Sequence, residues 1–430
     1  MIFSYQSPNS YGASQFKAYD QFGRVTSEVN GADEETAYTY DLQGNLTSIT
    51  DAKGQKTSFV YDDLGRLQET IDPIIETPSD KTVKYTYDEL GNLLTSTDRK
   101  GQAIRKQYDT LNRVILVEYV ADGTSDTLRY DQYGNLREVA NSKVSYTYNY
   151  DNRHRLLSKT DSRNGKSLQW SYDAAGNVLT KTDYQGKVTR FVYDSNNRLI
   201  SMKNPDYLQA SYHYDAAGRL LSRILSSGAS TIYKYDRDGF LKEITQRSAN
   251  GSIVDKREFT PDHLGNIEQL VINDTETVDY SYDPAYRLLT ADSSDNSHDF
   301  SYTYDAVGNR LSKTASGVTH HYLYGNGNRL NEVRVGAIDG ALFKRYDYDD
   351  NGSRIKAYNS ADQLIQQLTY NQGRLVTSLQ TESDTLQFAY DPNAYRIEKT
   401  TGSKHNNYLL EGEQDADVGS LNILQRAYTK

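Results

Sequence analysis

A Tyr-Asp dipeptide returns about every 21 residues along almost the whole chain, and this period constrains the fold more than any other feature. The anchor tyrosines stand at positions 19, 40, 61, 87, 108, 130, 150, 172, 193, 214, 235, 282, 304, 324, 348, 370 and 390. Pro261 takes the same place in Pro261-Asp262-His263-Leu264-Gly265-Asn266. Steps of 20 to 22 residues separate most anchors, the exceptions being 61 to 87, 235 to 261 and 324 to 348. About eighteen imperfect repeats result, each built on Tyr-Asp-x-x-Gly-Asn/Arg-Leu.

Many anchors have a second Tyr two residues upstream: Tyr38, Tyr85, Tyr148, Tyr212, Tyr233, Tyr280, Tyr302, Tyr322 and Tyr346. A spacing of two is strand spacing and puts both rings on one face. Asp followed three residues later by Gly, as in Asp88-Glu89-Leu90-Gly91, is the preference of a type I turn. A left-handed residue at that last place makes a hairpin loop with a G1 bulge. In that register Tyr faces Leu, so Tyr87 pairs with Leu93, Tyr61 with Leu67 and Tyr214 with Leu220. Asn112 and Asn197 occupy the Gly place, and Asn tolerates positive φ. His154 and Tyr286 occupy it at some cost, and Pro284 fits the second turn position. A return strand such as 92–97 follows, often closed by a second polar turn: 51–54, 98–101 or 183–186.

Each unit is therefore two strands of about six residues with two tight turns, and some 36 strands make a ribbon of order 170 Å by 20 Å. Strands twist and large open sheets curl. The fold class that follows is all-β: a continuous antiparallel β-hairpin meander coiled into a spiral or hollow shell. A propeller blade holds four strands in about 42 residues, twice this period, and alternate repeats do not differ. A parallel solenoid does not suit the Asp-x-x-Gly hairpin chemistry. Choline- or glucan-binding hairpins have a similar length, but their sites pair Trp with Tyr, and Trp170 is the single Trp here.

Composition agrees with a Tyr-faced sheet. Tyr accounts for 38 of 430 residues and hydrophobic residues for 36%, with a mean hydropathy of −0.78; such a chain either stays disordered or builds its apolar face from Tyr, and the strict period decides for the second. The net charge of −10 is evenly spread, without the basic stripe of a nucleic-acid binder. With no Cys, disulfides and thiolate metal sites are excluded. No stretch reaches the roughly 20 apolar residues of a membrane-spanning segment, and the first residues, MIFSYQSPNS, lack a signal-peptide pattern. No linker divides the chain. The expected layout is a lead-in at 1–15, repeats at 16–400 and an irregular tail at 401–430.

The motif Tyr-Thr-Tyr-Asp-x-x-Gly-Asn-Leu, from Tyr85 to Leu93 and closely from Tyr302 to Leu311, resembles the Tyr-Asp (YD) repeats, or Rhs repeats, of bacterial Rhs proteins, toxin-complex C components and animal teneurins. The resemblance covers about residues 16–400 and implies a strip of β-sheet spiralling into a hollow shell. In bacterial members the shell encloses a C-terminal toxin, so the implied partner is a polypeptide cargo (a toxin domain) or adjoining shell segments, and the implied location is secreted or at the cell surface. The family's terminal segment is rich in Asp-Pro-x-Gly motifs. Here Asp391-Pro392 continues as Asn393-Ala394-Tyr395-Arg396, a repeat turn, and 409–430 has no such motif. Self-cleavage and a toxin domain are not supported within this chain, which reads as a shell segment of a longer or split protein.

The search for chemistry yields structure instead. Of His154, His213, His263, His298, His320, His321 and His405, only 320 and 321 are adjacent, and strand neighbours point to opposite faces. Gly165-Lys166-Ser167 lacks the upstream Gly of a phosphate loop. Turn positions explain nearly every Asp, so no catalytic, cofactor-binding or metal-ligating residue is assigned, and no enzyme is expected. The singled-out residues are repeat anchors: Tyr40, Asp41 and Gly44; Tyr61, Asp62, Gly65 and Leu67; Tyr87, Asp88, Gly91 and Leu93; Tyr214, Asp215, Gly218 and Leu220; Tyr304, Asp305 and Gly308. Two functions remain: a shell segment enclosing or presenting a polypeptide, and a cell-surface adhesive array binding glycans or a partner protein through exposed Tyr and the longer loops at 71–82, 246–257 and 334–343.

Overall fold

The computed structural model describes residues 2–5, 15–73, 82–205, 209–296, 299–402, 404–410 and 415–417. Parts of the expected lead-in and tail, residues 74–81 of the first long loop, and His298 lie outside the described residues. Among the described residues, thirty-nine strands and one short 3₁₀ turn at Asn326–Asn328 make up the regular structure. Two compact units share the run of repeats. The first comprises Met1–Lys84, Leu208–Gly352 and Tyr358–Gln363; the second comprises Tyr85–Tyr207, Ser353–Ala357 and Leu364–Lys430. Within each, strands pair antiparallel with their neighbours in the chain.

One repeat accounts for the rest. Strand Lys56–Tyr61 runs into the turn 62–65 and returns as Leu67–Ile71. The Asp62 amide donates to the Arg66 carbonyl and the Gly65 amide to the Asp62 carbonyl, while Gly65 has φ +75°. This is a type I turn closed by a left-handed residue. Tyr61 stands opposite Leu67, as Tyr214 stands opposite Leu220. A further irregularity follows at once: Val60 faces Glu69, so Gln68 is an unmatched extra residue. The same slip recurs beside anchors throughout the chain. A bulge bends its strand and increases the local twist, so one bulge per repeat builds curvature into the strip. The motif fixes the turn but carries no mark of this second bulge.

The anchor Tyr also links repeats. Its hydroxyl donates to the carbonyl at the Leu place of the preceding repeat: Tyr61 to Leu46 at 2.9 Å, Tyr108 to Leu93 at 2.9 Å, Tyr235 to Leu220 at 3.0 Å and Tyr304 to Leu288 at 2.8 Å. Tyr rather than Phe at this place is thereby explained. Replacing Tyr61 with Phe keeps the ring and leaves the Leu46 carbonyl without that donor, so a loss of about 1 kcal/mol is expected in denaturant unfolding; an unchanged midpoint would count against the bond.

Little of the chain is deeply buried. The second unit has one apolar cluster of Val139, Val144, Tyr146, Tyr148, Ile397 and Tyr408, flanked by Leu128, Leu136, Tyr150, Leu156 and Ala389. In the first unit the buried apolar residues include Ala210, Val278, Ala291 and Val333, one to a strand. The longer units at 246–257 and 334–343 are not long loops. Their extra residues lengthen strands, Ile253–Pro261 and Ala341–Tyr348, behind five-residue turns. Ladder hydrogen bonds satisfy their backbone better than an irregular loop would.

Candidate functional site

The predicted anchors each assemble their own turn and do not converge on one locus. In thirteen leading turns, those that follow an anchor, the residue four places after Asp donates its side chain to Asp Oδ2; seven of these donors are Arg and six are Asn. Asp Oδ1 meanwhile accepts backbone amides, as Asp62 does from Leu64 and Arg66. Asp41, Asp88 and Asp305 use Asn45, Asn92 and Asn309; Asp62 and Asp215 use Arg66 and Arg219. The Asn45 side chain holds the Asp41 carboxyl below its usual range, and backbone amides led by Arg66 do so for Asp62. Gly44, Gly91, Gly218 and Gly308 lie at φ +98°, +88°, +86° and +83°.

Asn and Arg at this place act differently on the next repeat. Arg155 reaches the Asp173 carbonyl at 2.7 Å and lies over the Tyr172 ring, and Arg113 and Arg219 do the same one repeat on. Asn can instead meet a side chain at the next left-handed position: Asn92 bonds Asn112, Asn177 bonds Asn197, and the Asn135 amide oxygen faces His154 Nδ1 at 3.0 Å. His154, at φ +63°, thus gains a partner that offsets its backbone cost. That matching was not read from the sequence, although both residues of each pair were visible there.

Long-range contacts gather at the turns. In the first unit the closing turns of early repeats meet leading turns far along the chain. Glu34 takes a two-pronged bond from Arg287 at 3.0 and 3.1 Å. Lys53 reaches Asp305 at 2.9 Å, and Gln55 bonds both Asn328 and the Gly327 amide. In the second unit the Gln372 amide donates to Asp122 and its side chain accepts from Ala121 N, while Asn141 donates to the Tyr390 carbonyl. Arg163 pairs with fully buried Asp161 at 2.6 Å and donates to the carbonyls of Ile397 and Tyr408. Apart from the Asp161–Arg163 pair, these partners are 234 to 273 residues apart in the chain. In each unit the strip has returned on itself and joined one edge to the other. We call these joins seams.

A cavity of about 500 Å³ lies along the seam of the second unit, lined by Tyr119, Asp126, Asn141, Phe388, Tyr390 and Asp391 among others. Burial pushes the Tyr119 hydroxyl up to about 12, helped by Asp126, to which it donates at 3.1 Å. Burial likewise raises Asp126 and Asp391. Among the described residues no group of three or more His, Cys, Asp or Glu side chains is placed to hold a metal ion, and no helix is long and apolar enough to cross a membrane.

The Rhs-repeat family model matches residues 19–56, 40–73, 87–125, 150–183, 172–208 and 214–253. Over these residues the chain carries Rhs repeats. Two Bacillus proteins are similar to it: the tRNA3(Ser)-specific nuclease WapA of Bacillus spizizenii, 28% identical over 330 residues, and the tRNA nuclease WapA of Bacillus subtilis strain 168, 29% identical over 330 residues. In both cases the match takes in 66% of this Rhs-repeat chain and 14% of the relative, so the chain spans a small part of their length. Among solved structures, the crystal structure of TcdB2-TccC3-TEV has the same fold, with a TM-score of 0.56 at 15% identity over 93% of this chain and 27% of that one. The Photorhabdus luminescens Tc holotoxin pore gives a TM-score of 0.55 at 15% identity over 93% and 26%.

Proposed function

We propose that this chain is a structural, non-enzymatic wall segment of a larger Rhs-like toxin or surface protein, and that the wall encloses or presents a polypeptide cargo such as a toxin domain outside the producing cell. The seams carry this reading: in each unit the strip closes edge to edge through side chains placed by the repeat. Few of the described strand residues are deeply buried, which supports a sheet wet on both faces. The turn aspartates are engaged in their own turns, which leaves them to hold the wall rather than to perform chemistry. The nuclease activity named for the Bacillus proteins belongs to chains of which this one matches a small part.

The test is protease protection. A co-purifying polypeptide should resist protease while the seams are intact and become cleavable once Arg163 is replaced by Ala. A scattering envelope with no internal cavity, or tRNA cleavage by this chain alone, would overturn the proposal.

A second reading, an array that binds a partner protein, rests on a different observation. One bulky apolar residue stands at the tip of each of the first six leading turns: Phe22, Leu42 and Leu64 in the first unit, Leu90, Leu111 and Tyr133 in the second, each between 66% and 102% exposed. Leading turns that join seams carry smaller or polar residues there, such as Ala285, Val307 and Gln372. Exposed apolar tips suit a polypeptide better than a glycan, since many anchor hydroxyls already bond carbonyls. Ser at Leu90, Leu111 and Tyr133 together should abolish partner capture without moving the unfolding midpoint.

A further inference from the structure

Asp391 departs from the rule of the other turns. Its Oδ1 accepts the amides of Asn393 and Tyr395 at 2.9 Å, as the repeat requires. The residue four places on is Tyr395, which replaces the Asn or Arg that would donate to Oδ2. Asp236, followed by Phe240, has the same gap but is only half-buried. Asp391 is 3% exposed and its Oδ2 makes no hydrogen bond of good geometry; nor does the buried Tyr146 hydroxyl beside it. Across the seam, from the strand Thr124–Tyr130, comes Asp126, 9% exposed and close enough to act on Asp391 electrostatically. Asp126 already accepts from Tyr119 at 3.1 Å, and the nearby Asn141 side chain also favours its charged form. Tyr148 and Lys159 also face Asp391, and Lys159 lies over the Tyr146 ring at 3.8 Å, with Asp161 and Arg163 beyond.

Two carboxylates buried on opposite arms cannot both ionise without cost, and of the two Asp391 is the more deeply buried and has one oxygen that no donor meets. We propose that Asp391 holds a proton in the folded chain as a latch on the seam, and that its loss to solvent sets two buried negative charges against each other and loosens the contact between residues 119–163 and 371–408.

The sign follows from burial. A carboxyl raised in the folded state binds its proton more tightly there than in the unfolded chain. Its contribution is complete below the unfolded value of 3.8 and is lost as pH climbs through the raised value. The turn aspartates, such as Asp41 and Asp62, are lowered and behave oppositely, their contribution fading only as pH falls below 3.8. Lys159, lowered by burial, adds stability as pH rises through its folded value and so opposes the latch. A comparison with an Asp391 variant removes that background.

The experiment is denaturant unfolding of the full chain, followed by the fluorescence of its single Trp, Trp170 in the strand Lys166–Tyr172 of the same unit. Wild type and Asp391→Asn are compared at pH 5 and pH 8, a window above the turn aspartates. The latch predicts that the variant gains on wild type between pH 5 and pH 8. Over that window the unfolding constants should diverge about tenfold for each unit by which the folded value exceeds 5. Asp126→Asn, which removes the other charge, should flatten the wild-type pH dependence in the same way, and stands in if Asp391→Asn fails to fold. Parallel pH profiles for wild type and both variants would overturn the proposal, as would a variant uniformly less stable at both pH values.

Discussion

Replacing Arg163 with Ala is expected to destabilise the second unit by about 3–5 kcal/mol, the typical cost of breaking a buried ion pair from one side. Asp161 is fully buried and the Arg163 side chain is 16% exposed. Without the guanidinium the carboxylate keeps the backbone amide of residue 163 but loses its charge partner. The carbonyls of Ile397 and Tyr408 lose their donors at the same time, so the join between distant repeats weakens along with the local turn. Trp170 fluorescence in denaturant reads the loss, and limited proteolysis should open the chain near 397–408. Lys restores only part of it, because an ammonium lacks the planar fork that serves a carboxylate and two carbonyls together. A shift below about 1 kcal/mol would mark Arg163 as an ordinary solvated residue.

Ile397→Ala should cost about 2–5 kcal/mol in the same unit, since it empties a fully buried site. Its neighbours Val139, Val144, Tyr146, Tyr148 and Tyr408 come from both sides of the seam. Arg163 bonds the Ile397 carbonyl, so the two substitutions should not add: a coupling of about 0.5–3 kcal/mol is expected from the double variant. Strict additivity would mean that the apolar cluster and the Arg163 bridge are independent.

The local architecture was legible because each repeat repeats the same short-range chemistry. The spacing of two between paired tyrosines, Asp at the start of the turn and Gly, Asn or His at its left-handed place sufficed to derive the hairpin that Tyr61, Leu67 and Gly65 make. Less was legible about the links between repeats. The alternation of Asn and Arg after Gly was visible as a pattern, but its meaning needed coordinates: Arg155 reaching Asp173, or Asn135 meeting His154. The bulge that unpairs Gln68 has no signature of its own.

The site-level features were hidden for a physical reason. A seam joins turns 234 to 273 residues apart, and turns of nearly identical composition occur all along the chain. Which one meets which depends on the accumulated bend of a dozen hairpins, a quantity that no single motif encodes. The sequence by itself determined the Tyr-Asp hairpin, its register and the all-β meander, because those rest on hydrogen bonds within about twenty residues. Tertiary structure alone decided that Asp161 and Asp391 would be buried while Asp41 and Asp62 stay only half-buried, because burial depends on which distant repeat the coil brings alongside.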